Sequence, residues 1–265
     1  MTQSFKSRLI SAIVGGALII FLLIVKGYFV IIPASILAII GVFEFHKVFE
    51  KVQVKPMYLT GILLSLGVIL AYLLYQPAYF SYLIAGGILC FYSILAYHVF
   101  SEHHILDVVV SIFSILYVVV PFILIMELAK RDDYFIWLVF ILAFSTDTFG
   151  YVFGKKFGKR KLTDVSPKKT VEGALGGVLG CILSVGVFKL LVMPELTWIA
   201  VFLLASTGSV ASIIGDLTAS KIKRFTGVKD FGKLIPGHGG VLDRFDSILF
   251  TAPVIYIFTW FLTLN

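Results

Sequence analysis

Residues 197–220 read TWIAVFLLASTGSVASIIGDLTAS, and residues 241–263 read VLDRFDSILFTAPVIYIFTWFLT. Between them lies KIKRFTGVKDFGKLIPGHGG, residues 221–240, where cations, glycines, a carboxylate and a histidine crowd together. A helix rises about 1.5 Å per residue, so a run of about 20 apolar residues crosses a hydrocarbon core of about 30 Å. Two runs near that length around one polar loop predict two spanning helices joined at a membrane face. Polar groups at such a boundary are costly unless paired or used, so the loop marks a site.

The same alternation continues outward from this stretch. The chain has 265 residues, is 59% hydrophobic and only 14% charged, and has a mean hydropathy of +1.02. Soluble domains are about a quarter charged. Backbone groups in lipid must be bonded internally, and these runs are too long for barrel strands. The fold class is therefore all-α, a polytopic integral membrane helical bundle of about nine transmembrane helices. The runs fall near 9–25, 28–43, 58–75, 79–98, 107–127, 134–153, 173–193, 197–220 and 241–263. Pro33, Pro121 and Pro253 lie inside them, where a bundle tolerates proline. Lys6 and Arg8 precede the first run as in a secretory signal, but no small-x-small cleavage pattern follows, so a retained first helix is expected. Cys90 and Cys181 sit in apolar runs and read as packing residues, not as a disulfide framework.

Charge gives the orientation. With the N-terminus inside, eighteen of the 22 lysines and arginines fall on the inner face. Loops 154–172 and 221–240 share that face because two spans separate them. The net charge of +7 is concentrated there, which favours anionic ligands. Residues 1–130 read as scaffold, and residues 131–265 as the region that carries the candidate site. The expected location is a bacterial inner membrane with the site on its cytoplasmic face.

Ser212, Asp216 and Ser220 are four apart and stack on one helix face. Asp216 lies in an apolar run and needs a cation or a hydrogen-bond donor. It either pairs with a helix lysine, caps a neighbouring helix, or ligates a metal. Asp243 and Asp246, three apart, open the last run, where carboxylates also suit a helix N-terminus. Three carboxylates at two converging helix ends make the hard oxygen site that magnesium prefers. Lys223, Arg224, Lys229, Lys233 and Arg244 surround them. They form either a lipid-facing basic belt or, with His238, Gly239 and Gly240, a phosphate cradle in which glycines let backbone N–H groups approach an anion.

A second cluster runs Asp147-x-x-x-Tyr151-x-x-Gly154, then Lys155 to Lys161, then Ser166-Pro167-Lys168-Lys169-Thr170-Val171-Glu172-Gly173. Ser166-Pro167 reads as a helix-start turn. Lys168 and Lys169 beside that start suit a phosphate, and the alternative is contact with anionic lipid head groups. The basic loops are short and poor in aromatics, which argues against nucleic-acid binding. Walker, zinc-protease and nucleophile-elbow motifs do not occur.

The stretch from Ser220 to Asp246 resembles the signature of the phosphatidate cytidylyltransferase, or CDP-diacylglycerol synthase, family. Ser220, Lys223, Arg224, Lys229, Asp230, Gly232, Pro236, His238, Gly239, Gly240, Asp243, Arg244 and Asp246 all fall in its pattern. The stretches around Asp147 and Ser166 are similar to it too. The resemblance implies a membrane enzyme, a helical homodimer, joining CTP and phosphatidic acid into CDP-diacylglycerol and pyrophosphate with magnesium. On that footing Asp216 and Asp243 are expected as metal ligands, with Asp246 completing the site or holding a second cation. Lys223, Arg224 and Arg244 would neutralise the CTP phosphates. Lys168 and Lys169 would hold lipid phosphate or nucleotide, and His238 would contact a phosphate. Ser212, Ser220 and Lys229 join the substrate-binding set. The alternatives are a CTP-dependent lipid kinase, a cytidylyltransferase for another lipid phosphate, an ion-coupled transporter using Asp147 and Asp216, and a structural or lipid-binding membrane protein.

Overall fold

The computed structural model describes residues 3–74, 104–131, 134–234, 237 and 239–263. Among these, regular structure is helical apart from one isolated antiparallel bridge between Lys161 and Thr170. Helix α1 covers Gln3–Val25, α2 Tyr28–Phe49 and α3 Tyr58–Leu74. Next come α4 (Ile105–Ser114), a π-helical turn (Ile115–Val119) and α5 (Val120–Lys130). They are followed by α6 (Phe135–Phe157), α7 (Val171–Val192) and α8 (Trp198–Phe225). The short α9 (Leu242–Phe245) and α10 (Ile248–Thr263) end the described chain.

Five of these stretches are long and apolar enough to cross a membrane: Tyr28–Val52, Ile105–Lys130, Phe135–Phe157, Val171–Val192 and Trp198–Phe225. Shorter apolar helices occupy Ile13–Val25, Gly61–Leu70 and Ile248–Leu262. The chain is thus an all-helical integral membrane protein. The run expected at 79–98 lies outside the described residues.

Lipid solvates apolar side chains about as well as a core does, so close packing rather than hydrophobicity decides which faces meet. Phe45, Phe122, Leu142, Leu204 and Leu249 are fully buried where α2, α5, α6, α8 and α10 converge. Leu175, Leu179, Leu183 and Leu190 of α7 point outward, as a lipid-facing row does. Helices α6 and α7 approach through small residues. A Cβ on Gly173 would come 2.8 Å from the Gly150 carbonyl oxygen and 3.0 Å from the Gly154 Cα. Only a bare backbone fits there, and the close seam lets residues 158–170 form a tight connection at its end.

Three local readings change. The second run extends to Phe49 because Glu44 and His46 are buried with partners: Glu44 takes two backbone N–H groups, and His46 Nε2 lies 2.9 Å from Ser114 Oγ. Helix α7 begins at Val171, not at Ser166-Pro167, because Thr170 is its cap and accepts from the Gly173 N–H at 3.1 Å. Ser166 instead closes a turn by accepting from the Lys169 N–H at 2.9 Å. The last run is broken at Asp246-Ser247, between α9 and α10. The π turn has a local cause: Pro121 has no N–H for the Tyr117 carbonyl, and Val120 N–H reaches back to the Ile115 carbonyl.

Candidate active site

The loop joining α6 to α7 is ordered by its own backbone. Leu162 N–H donates to the Lys169 carbonyl at 2.8 Å, and Val171 N–H to the Arg160 carbonyl at 3.0 Å. Glu172 Oε2 accepts from Lys159 N–H at 3.0 Å and from Arg160 N–H at 3.2 Å. This hairpin holds Lys169 over the second half of α8, where its ammonium pairs with Asp216. Both side chains are about a quarter exposed, so the pair is partly withdrawn from solvent. Lys168, next to it, is exposed.

The second loop closes on the same end. Lys223 Nζ donates to Asp243 Oδ1 at 2.9 Å. Asp243 Oδ2 accepts from Phe231 N–H at 2.7 Å and from Gly240 N–H at 2.9 Å. With its side chain 2% exposed, Asp243 ties the loop to the end of α8. The Gly239 φ of +88° is left-handed, and a Cβ there would sit 2.7 Å from Asp243 Oδ2. These bonds give the paired glycines a definite use: the turn wraps the Asp243 carboxylate. Asp246 Oδ1 accepts from Ser247 N–H at 2.8 Å, and Ser247 Oγ donates to Asp147 Oδ2 at 3.3 Å.

Asp147, Asp216, Asp243 and Asp246 line one cavity of about 870 Å³ together with Arg244. The remainder of its wall is apolar and comes from α1, α2, α5, α6, α9 and α10, with Leu22, Pro33, Phe122 and Phe140 among the lining residues. Asp216 is close enough to Asp147 and to Asp246 for their charges to interact. Like carboxylates gathered in a low-dielectric wall call for cations, and Lys169 and Lys223 supply two. Ser220 Oγ lies 3.5 Å from Asp216 Oδ1. Ser212 is fully buried, with no partner for its Oγ among the described residues. Arg224 and Lys229 are exposed at the same end, and His238 lies outside the described residues.

The structure therefore brings Lys169, Asp216, Lys223, Asp243, Arg244 and Asp246 together and adds Asp147 to them. Sequence reasoning missed two neighbours. Glu44 of α2 bonds to the start of α9. Tyr117, in the π turn, is buried with no partner for its hydroxyl among the described residues, within electrostatic reach of Asp246, Asp216 and Asp243. A lone glutamate in an apolar stretch was the available signal for the first.

Magnesium fits this donor set by chemical type, since hard carboxylate oxygens are its ligands. Among the described residues no three acidic, histidine or cysteine side chains are gathered around one point. Magnesium does not need such a cage, because it keeps several waters and takes only one or two carboxylates beside substrate phosphates.

A helical membrane bundle whose largely apolar cavity is also lined by four aspartates and an arginine defines a membrane protein with a buried polar site. The chain belongs to the cytidylyltransferase family, whose model matches residues 6–262, and it is a nucleotidyltransferase. It is 31% identical over 267 residues to the phosphatidate cytidylyltransferase of Bacillus subtilis (strain 168), covering 95% of this chain and 96% of the relative. It is 34% identical to the Synechocystis enzyme of that name, covering 95% of each chain. Identity is also 34% to the one from Staphylococcus aureus (strain COL), covering 95% of this chain and 98% of the relative.

Proposed function

We propose that this chain is a phosphatidate cytidylyltransferase, converting CTP and phosphatidic acid into CDP-diacylglycerol and pyrophosphate. One observation carries the reading: four aspartates and Arg244 line the same cavity as a large apolar wall, with Lys169 and Lys223 paired to two of those aspartates. A phospholipid has that division, an anionic head on hydrocarbon tails. The named relatives agree with it.

The reaction forms a bond between a phosphate oxygen of phosphatidic acid and the α-phosphorus of CTP. The bond from that phosphorus to the bridging oxygen breaks, and pyrophosphate leaves with the electron pair. Two anions must meet, so the protein's task is to offset repulsion with preorganised positive charge. Lys169, Lys223 and Arg244 supply it beside the aspartates, and Lys168, Arg224 and Lys229 extend it outward. Ser212 and Ser220 offer hydroxyls along the Asp216 face. His238, Gly239 and Gly240 would border the phosphates.

Asp216 and Asp243 would hold magnesium, with Asp246 completing the site or holding a second cation and Asp147 beside them. When bound, the ion supplies Lewis-acid charge to the phosphates. Lys169 pairs with Asp216 and Lys223 with Asp243, and the same ammonium groups would serve substrate phosphate.

The distribution of lysine and arginine supports a cytoplasmic-face site in a bacterial inner membrane. It likewise supports residues 131–265 as the reacting region and 1–130 as its scaffold. The exposed apolar faces leave room for lipid and for a second copy, and the homodimer is proposed on family resemblance. Nucleotide release tests the reaction: purified protein with CTP and phosphatidic acid should release pyrophosphate, whereas release of CDP would mark a kinase.

A further inference from the structure

Glu44 belongs to α2, on the scaffold side of the chain, and is only 6% exposed. It sits in sequence between Val42 and Val48, both buried in the core. A carboxylate there requires strong partners. Each oxygen has one: Val241 N–H donates to Oε1 and Leu242 N–H to Oε2, both at 3.0 Å. The loop is shaped around the acid, because a Cβ on Gly232 or Gly240 would run into the Glu44 carboxylate. Gly240 thus serves both acids, leaving room for Glu44 and donating its N–H to Asp243.

Val241 and Leu242 immediately precede Asp243, Arg244 and Asp246. Two carboxylates therefore hold the loop at Phe231, Gly240, Val241 and Leu242, Asp243 from within and Glu44 from a helix 197 residues earlier in the chain than Val241. We propose that Glu44 is a positioning residue that fixes the backbone at Val241-Leu242 and so aims Asp243, Arg244 and Asp246 into the cavity. The inference rests on the reading of those three as part of the reacting centre. Glu44 itself lines no part of the cavity wall described above. It acts through two peptide groups.

Chemistry says why an acid is needed. Both oxygens face donors. In Glu44→Gln one oxygen becomes an NH2 opposite a backbone N–H, donor against donor, while shape is kept. A misplacement of about 1 Å near reacting groups can cost roughly a hundredfold in rate. Glu44→Gln is thus expected to lower kcat by roughly 10- to 100-fold. Gly240→Ala, which presses on the same acid from the loop side, is expected to do the same. The double variant should lose less than the product of the two, because both break one contact.

The test combines kcat with hydrogen exchange on purified full-length protein in detergent. The expected result is lost amide protection confined to residues 231–246 in both variants, together with the fall in kcat. A purely structural Glu44 would reduce the yield of folded protein but leave kcat per folded molecule intact. Glu44→Gln with kcat within about twofold of the parent would overturn the proposal. If Glu44→Gln does not fold, Gly240→Ala decides in the same way. Failure of the parent to transfer cytidylyl would sink the functional reading instead. The protection pattern would still report whether Glu44 holds the loop.

Discussion

Lys169, from the hairpin before α7, and Asp216, from the second half of α8 and the wall of the cavity, form an ion pair. The pair ties the first basic loop to the helix from which the second one emerges. It also separates two adjacent lysines by role, since Lys168 is exposed while Lys169 is half-buried on a carboxylate.

Lys169→Ala is expected to cut kcat/KM for lipid cytidylylation by about a hundredfold, in line with loss of a preorganised charge on a phosphate. Lys168→Ala should cost under about fivefold, as rim charges do. Steady-state kinetics on both variants checks this, and equal losses would remove the distinction.

Asp216→Asn leaves Lys169 without its anion. Activity should fall by at least about a hundredfold while the protein still purifies as a folded species. Because the two side chains share one contact, Asp216→Asn combined with Lys169→Ala should be clearly non-additive. Additive losses would mean that the pair is incidental.

Removing divalent cations with a chelator should abolish turnover, and magnesium should restore it. Calcium should restore less, since it prefers more ligands at longer distances. Full activity in chelator would show that the lysines and arginines suffice.

The α6–α7 seam predicts stability rather than catalysis. Gly173→Ala puts a methyl against backbone atoms of Gly150 and Gly154, and should destabilise by about 1–3 kcal/mol. Gly67→Ala in α3 meets nothing within 4 Å and should be neutral or stabilising by about 0.5–1 kcal/mol. Thermal unfolding in detergent separates the two.

Tyr117→Phe removes a buried hydroxyl that has no partner among the described residues. An unsatisfied buried group costs about 1–3 kcal/mol, so the variant should unfold at the same or a higher temperature. A lower midpoint would show that the hydroxyl is bonded in the membrane-embedded protein.

Much of this was legible in the chain itself. Apolar runs of membrane length marked helices because lipid leaves the backbone few other options, and the runs that became α6, α7 and α8 sit within a few residues of where hydropathy puts them. Clustered polar residues marked Asp216, Lys223, Asp243 and Asp246 for the same reason. Asp216 does pair with a lysine, but with Lys169 of the connecting hairpin rather than with the helix lysine that its run suggested.

What hydropathy could not carry was pairing across distance. Glu44 fell just past the predicted end of the second run, so it did not register as an intramembrane acid. Its meaning depends on amides at Val241 and Leu242 that no local pattern announces. The π turn at Ile115–Val119 was hidden similarly, since Pro121 signals a perturbed helix but not which side chain the perturbation re-aims. Gly239 and Gly240 were read as serving a phosphate. In the structure Gly240 N–H serves Asp243, a choice that only the folded loop reveals.

Transfer of label decides the matter most directly. Purified protein is given phosphatidic acid in mixed micelles with CTP labelled at either the α- or the γ-phosphate, and the lipid is separated by thin-layer chromatography. The account predicts that α-label enters the lipid, that γ-label leaves as pyrophosphate, and that Asp216→Asn does neither. Label from the γ-phosphate in the lipid, or none from either position, would contradict it.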